Sequence, residues 1–223
     1  MRLTEKYRPR SLDGVLGQQH IRKLQRFVAS PYSTCWLFEG PPGVGKSAAA
    51  LALAHDLGSV DEFHGLNVVP ANRLGVDECQ KIMADMHTRR LWGTWNVLVL
   101  EELERLSQQA TVYMKYALAS ENLPPLCVVV ATSNDTSAID QALLERFGRP
   151  LKFDGGPSLA ASLAPQLVEV WRGESGGAPL PPQWRNWGFL NGCCGGRFSA
   201  RKALDDLQYA LLDIEDEAAE AVA

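Results

Sequence analysis

The sequence predicts an α/β protein: a parallel β-sheet between two layers of helices, followed by a smaller all-α unit. Three observations carry that reading. Short, almost continuous apolar runs, such as "WNVLVLEE" at 95–102 and "LCVVVATSN" at 126–134, have the composition of strands buried on both faces. Those runs alternate with stretches of helical periodicity, and strand–helix–strand succession leads to parallel pairing through crossovers. After "DGGPS" at 154–158 the strand signals stop and the pattern is helical. The expected units are therefore an α/β core at 1–155, a helical unit at 156–215 and an acidic tail at 216–223 that frays.

The elements follow in order. A polar start leads to "IRKLQRFVAS" (21–30), whose apolar spacing predicts a helix. "CWLFEG" (35–40) is a buried strand ending at glycine, and residues 45–57 form the helix behind it. "LNVVPA" (66–71) predicts a strand, and "DECQKIMADMHTRRL" (77–91) an amphipathic helix opened by Asp77. The strand at 95–102 ends in two carboxylates and is followed by a helix over 107–120. The strand at 126–134 leads to a short helix over 137–147 and a last strand over 150–154. Helices over 158–172, around 182–190 and over 199–217 complete the chain, with "GESGGAPLPP" (173–182) as a loop between the first two.

With 223 residues, 46% of them hydrophobic, the chain can bury a substantial core. The net charge of −4 argues against coating nucleic acid by bulk electrostatics but leaves room for a local basic stripe. No apolar run approaches the roughly 20 residues that span a bilayer. The N-terminus "MRLTEKYRPR" has no apolar signal core, so a cytoplasmic location without secretion is expected. The five cysteines (35, 79, 127, 193 and 194) form neither a disulfide framework nor a zinc ribbon, and Cys127 reads as core.

The strongest chemical signal is Gly40-Pro41-Pro42-Gly43-Val44-Gly45-Lys46-Ser47, which satisfies G-x-x-x-x-G-K-[ST] with a strand before it and a helix, continuing through Ala48, after it. Such a loop turns backbone N–H groups inward around a β-phosphate at the positive end of a helix. Lys46 would neutralise phosphate charge and Ser47 would ligate Mg²⁺, making ATP with Mg²⁺ the expected ligand pair. Glu101 and Glu102 end the next long strand, where Glu101 would hold the metal, through water, and Glu102 would polarise the attacking water. Asn134 ends the strand after that and could hydrogen-bond the γ-phosphate or the lytic water, or form an ordinary Asn turn. Arg146 and Arg149, in "LLERFGRP", are either surface ion-pair residues or arginine fingers directed at a neighbouring subunit's γ-phosphate.

Together these features resemble the AAA+ branch of P-loop NTPases, and within it the clamp-loader small subunits of replication factor C type. The stretches "LTEKYRPRSLDGVLGQQHIRKLQRFV", "LFEGPPGVGKSAAALALA", "LVLEELERLSQQATVYMKYALASENLPP" and "GGRFSARKALDDLQYAL" carry the likeness over about residues 3–212. The resemblance implies that Tyr7, Arg8, Pro9 and Val15 lie on the adenine side and that Glu102 is the catalytic glutamate. It also implies that Asn134 is sensor 1, Arg146 the trans-acting arginine, and Arg201 a sensor 2 residue reaching the γ-phosphate from a helical lid at 156–215. Lys115 falls near a basic position that the family directs toward a neighbour's site. Four departures stand out. Glu101 replaces aspartate, Glu145-Arg146-Phe147 replaces Ser-Arg-Cys, and "VVPAN" leaves Asn72 as the nearest polar residue after the second strand. The dozen residues after the sensor 2 helix have no room for the helical collar that joins clamp-loader subunits into an open ring.

The implied function is an ATP-dependent ATPase acting in DNA replication. It would work as a homo- or hetero-oligomer through ATP-bridged interfaces, bind DNA, load a sliding clamp or replicative helicase, and involve no membrane. A helicase loader or transposition-regulator type of ATPase, forming an ATP-dependent spiral or filament on DNA, is the alternative favoured by the short C-terminus. A nucleotide-binding subunit that barely hydrolyses is a third reading. Arg73, Lys81, Arg89, Arg90 and Arg105 are the available DNA-binding residues, with a solvated surface as their other explanation.

Overall fold

A computed structural model of the chain describes residues 1–88, 95–180 and 197–220. Its centre is a five-stranded parallel sheet of β1 (Thr34–Glu39), β2 (Leu66–Pro70), β3 (Asn96–Glu101), β4 (Cys127–Ser133) and β5 (Leu151–Lys152), in the spatial order β2-β3-β4-β1-β5. The central strands β1, β3 and β4 are buried on both faces, as their apolar runs predict, with side chains alternating between two cores, while the edge strands β2 and β5 are partly exposed. Trp36, Phe38, Val97, Val99, Val128 and Val130 enter one, while Cys35, Leu37, Leu98, Leu100, Cys127 and Val129 enter the other.

The first core is covered by α2 (Ile21–Ala29), α3 (Lys46–Asp56), α7 (Pro157–Glu174) and α8 (Ala200–Glu220). In α3, Ala49, Ala50, Ala52 and Ala54 are fully buried, so small side chains let this helix lie close to the sheet. The second core is covered by α4 (Val76–Met86), α5 (Gln108–Ala117) and α6 (Gln141–Leu144). Trp36 and Trp171 are buried, as is Cys127. Among the described residues no helix is long and apolar enough to cross a membrane.

Several boundaries differ from the expected ones. A one-turn helix α1 (Leu3–Lys6) occupies the polar start, where Leu3 is buried and its N–H donates to Gln208 Oε1 on α8 at 3.1 Å. Helix α4 ends at Met86 instead of 91 because Asn96 Nδ2 donates to the carbonyls of Met86 (3.0 Å) and Thr88 (3.2 Å), closing the helix from the first residue of β3. The helix expected at 137–147 is broken. A 3₁₀ turn at Thr136–Ala138 precedes extended Ile139, then Asp140 caps α6 by accepting from Leu143 N–H at 3.1 Å, and a second 3₁₀ turn covers Glu145–Phe147. At the C-terminus α8 runs to Glu220 and takes in part of the tail expected to fray, consistent with the high helix propensity of its alanines and glutamates. The expected helix around 182–190 lies outside the described residues.

Candidate nucleotide site

The sheet order reverses direction at β1, which lies between β4 and β5, and the glycine loop leaves the C-terminal end of that strand. In doubly wound sheets such a switch point is where a crevice opens. Here a cleft of about 720 Å³ does open, lined by the loop, the ends of β2, β3 and β4, the N-terminal segment, α7 and the start of α8.

The loop is shaped by its glycines. Gly43 has φ +79°, and a Cβ there would stand 2.1 Å from Ser199 Oγ, so neither its conformation nor its space suits another residue. Its carbonyl accepts from the N–H groups of Ala200 (2.9 Å) and Arg201 (3.4 Å), which ties the first turn of α8 to the loop. Gln18 braces the other side: its Nε2 donates to the carbonyls of Val44 (3.1 Å) and Asp154 (3.0 Å), and its Oε1 accepts from Asp154 N–H at 3.1 Å.

Lys46, the first residue of α3, is buried. Its ammonium donates to Gly40 O at 2.7 Å, Pro41 O at 2.8 Å and Asn134 Oδ1 at 2.9 Å. Burial lowers its proton affinity to about 8, with Glu104 and then Arg201 pulling in opposite directions. An ammonium whose three acceptors are all uncharged oxygens, at a helix N-terminus, is an anion site in the making.

Glu101 ends β3, and Glu102 follows in the left-handed region (φ 57°, ψ 56°), which a non-glycine residue holds only when its surroundings enforce it. The Glu102 N–H donates to Thr132 Oγ1 on β4 at 3.3 Å. Its carboxylate pairs with Arg105 Nε at 3.1 Å. Both glutamates, Thr132 and Asn134 line the cleft, and so do Tyr7, Arg8, Pro9, Val15, Ser47, Ala48 and Arg201. The N-terminal segment is anchored across this wall: Lys6 Nζ lies 2.5 Å from Glu174 Oε1, and the Tyr7 hydroxyl donates to the same oxygen.

Other expected residues are distributed differently. Arg73 lines the cleft beside Asn72, both exposed on the 3₁₀ turn after β2. Arg105 is engaged with Glu102, while Lys81 is exposed on α4. Arg89 and Arg90 lie outside the described residues. Arg146 and Arg149 are not among the residues lining this chain's own cleft. Arg146 is exposed, and its Nε donates to the Lys115 carbonyl at 3.0 Å, while Lys115 Nζ pairs with Asp140 at 3.3 Å. Sequence reasoning passed over Gln18, Thr132 and Glu104. Glu104 stands two residues beyond Glu102, and its carboxylate holds Asn134.

A family model described as "ATPase family associated with various cellular activities (AAA)" matches residues 36–154, just over half of the chain. Among curated proteins, the replication factor C small subunit of Methanocella arvoryzae is 31% identical over 175 residues, 77% of this chain and 53% of that protein. The one from Sulfurisphaera tokodaii is 36% identical over 110 residues, 48% of this chain and 34% of that protein. The chain thus spans between about a third and a half of the length of these relatives. Among solved structures, the RuvB Holliday junction branch migration motor of Thermotoga maritima superposes with a TM-score of 0.57 at 20% identity, over 92% of this chain and 72% of that one. A DNA polymerase III gamma subunit-related protein of the same organism gives 0.59 at 12% identity, over 84% of this chain and 57% of that one. At those identities the structural likeness speaks for the fold, and the family match covers the glycine loop, the Glu101–Glu102 pair, Asn134 and the Arg146 turn. The chain belongs to the AAA family of ATPases.

Proposed function

We propose that the chain binds ATP with Mg²⁺ and hydrolyses it as one member of an oligomer acting on DNA in replication, in the manner of a clamp-loader subunit. The observation that carries the reading is Lys46, a buried ammonium held by three neutral oxygens at the start of α3, with two carboxylates and Asn134 around the same cleft. The donor set suits the pair. A Ser47 hydroxyl and the Glu101 carboxylate are hard oxygen ligands of the kind Mg²⁺ takes. Bound there, the metal would neutralise charge that develops on the phosphates.

The other roles belong to the chain's own residues. The loop N–H groups and Lys46 hold the phosphates, and Arg201 approaches them from α8. Glu102 takes the proton of the attacking water once its carboxylate leaves Arg105. Arg146 and Arg149, absent from the cleft of their own chain, serve a neighbouring subunit's site. ATP then joins subunits and hydrolysis separates them. The identity with replication factor C small subunits supports DNA and a sliding clamp as partners.

The test is steady-state ATP turnover with and without primed DNA, for the wild type, Lys46→Ala and Glu102→Gln. The expected result is turnover that DNA stimulates, that Lys46→Ala abolishes, and that Glu102→Gln lowers by about 10²-fold or more while ATP still binds. Nucleotide binding without turnover would overturn the enzymatic reading. Turnover indifferent to Glu102→Gln would overturn the assignment of the base.

A further inference from the structure

Asn134 sits between two groups of opposite hydrogen-bonding character. Its backbone N–H (3.2 Å) and its Nδ2 (3.1 Å) both donate to Glu104 Oε1. Its Oδ1 accepts from Lys46 Nζ at 2.9 Å. An ammonium can only donate and an ionised carboxylate can only accept, so an amide between them has one orientation: oxygen toward Lys46, nitrogen toward Glu104. The flipped amide would set N–H against ammonium and oxygen against carboxylate. The second Glu104 oxygen, Oε2, is buried with no hydrogen-bond partner, a costly position for a carboxylate. Its charge is nevertheless felt at Lys46, where burial lowers the proton affinity and Glu104 is the first of the charges opposing that fall.

We propose that Glu104 is a positioning residue for ATP hydrolysis: it holds the Asn134 side chain with its carbonyl oxygen toward Lys46, so that Asn134 acts on the site as an acceptor and not as a donor to the γ-phosphate. An acceptor facing the cleft orients the Lys46 ammonium, or takes a hydrogen bond from the attacking water. A phosphate oxygen, itself an acceptor, gains nothing from it. The inference rests on the ATPase reading above and assigns a role to a carboxylate that the Glu101–Glu102 pair does not cover.

The geometry allows an exchange of roles. In Asn134→Asp the donor facing Glu104 becomes a second carboxylate oxygen, and two acceptors oppose each other. Adding Glu104→Gln restores a donor between them while an oxygen still faces Lys46, and the net charge around Lys46 returns to that of the wild type. Both single variants and the double variant are compared for kcat, for affinity toward a fluorescent ATP analogue, and for melting temperature. The expectation for Asn134→Asp is a fall of about 10²-fold in kcat, the size of effect a misplaced catalytic group produces. Glu104→Gln alone, whose amide oxygen can still accept from Asn134 but no longer fixes its orientation, should lose at most about 10-fold, and the double variant should recover to within about 3-fold of wild type, with analogue affinity nearly constant throughout. The melting temperatures should follow the same order.

An Asn134→Asp enzyme with wild-type kcat, or a double variant no faster than the slower single one, overturns the proposal. Wild-type turnover that survives Lys46→Ala marks failure of the ATPase reading instead. The melting temperatures then decide the amide geometry alone: rescue of Asn134→Asp by Glu104→Gln upholds it, and no rescue overturns it.

Discussion

Replacing Lys46 with methionine should change how the stability of the nucleotide-free protein depends on pH while removing its affinity for ATP. Lys46 is 8% exposed, and burial lowers its proton affinity from 10.5 to about 8. Below pH 8 the folded and unfolded chains both carry the proton, so the folded one bears the full cost of a buried ammonium. Between about 8 and 10.5 the folded chain gives up the proton while the unfolded chain keeps it, and the contribution of this lysine to stability rises with pH across that window. Above 10.5 the cost is gone. At about 1.36 kcal/mol per tenfold change in proton affinity, the whole interval corresponds to about 3 kcal/mol. The cleft is open to water, which reduces the expected effect to about 1–2 kcal/mol. Methionine keeps the length of the side chain and does not titrate. Urea unfolding of both proteins from pH 6.5 to 10.5 at constant ionic strength measures the difference. It should move in favour of the wild type by about 1–2 kcal/mol as the pH rises. A difference constant to within about 0.3 kcal/mol across the range would refute the reasoning, since independent effects add at that level. In the same samples an ATP analogue with Mg²⁺ should raise the midpoint of the wild type only.

Other predictions concern the groups around that site and beneath the sheet. Burial pushes the thiol of Cys35 up to about 12, that of Cys79 up to about 11, and that of Cys127 higher still. Unfolded thiols ionise near pH ~8.5 while the folded ones stay protonated, so stability should fall above about pH 9, and Cys127→Ala should flatten that fall in denaturant titrations. Gly43→Ala meets both a positive φ and Ser199 Oγ at 2.1 Å, whereas Gly45→Ala at φ +100° has nothing within 4 Å. Backbone strain of about 1–2 kcal/mol is common to both, so the first should melt clearly lower than the second, and equal melting temperatures would count against the docking of α8 on the loop. Gln18→Ala removes three hydrogen bonds that join the N-terminal segment, the loop and Asp154. It should cost about 1–3 kcal/mol in chemical unfolding and weaken ATP-analogue binding along with it.

Much of the site was legible in the sequence because its signals are local. A glycine loop between an apolar strand and a helix needs no tertiary information to be recognised, and neither do carboxylates or an asparagine at strand ends. The same holds for the three central strands, whose apolar runs left them no partner but a core on each face. Boundaries set by distant residues were not legible. Nothing in "DECQKIMADMHTRRL" says that α4 stops at Met86, because the carbonyls there are taken by Asn96 from β3. Nothing in "SAIDQALLERF" requires Asp140 to start a new helix, although an aspartate three residues before an apolar N–H is a cap signal that could have been read.

By itself the sequence determined which groups the chain carries at the ends of its strands and the order in which strands and helices carry them, since periodicity, glycine placement and strand-end chemistry act over a few residues. Tertiary structure alone decided who meets whom. The order β2-β3-β4-β1-β5 sets β4 beside β1 and so brings Asn134 to Lys46. It also sets β3 beside β4, which puts Glu102 against Thr132 and Glu104 against Asn134. Arg73, on the turn after β2, lines the cleft because β2 lies beside β3. Crossover connections can place a strand at several positions in a parallel sheet, and only the packing of the whole sheet against its two helical layers selects one of them.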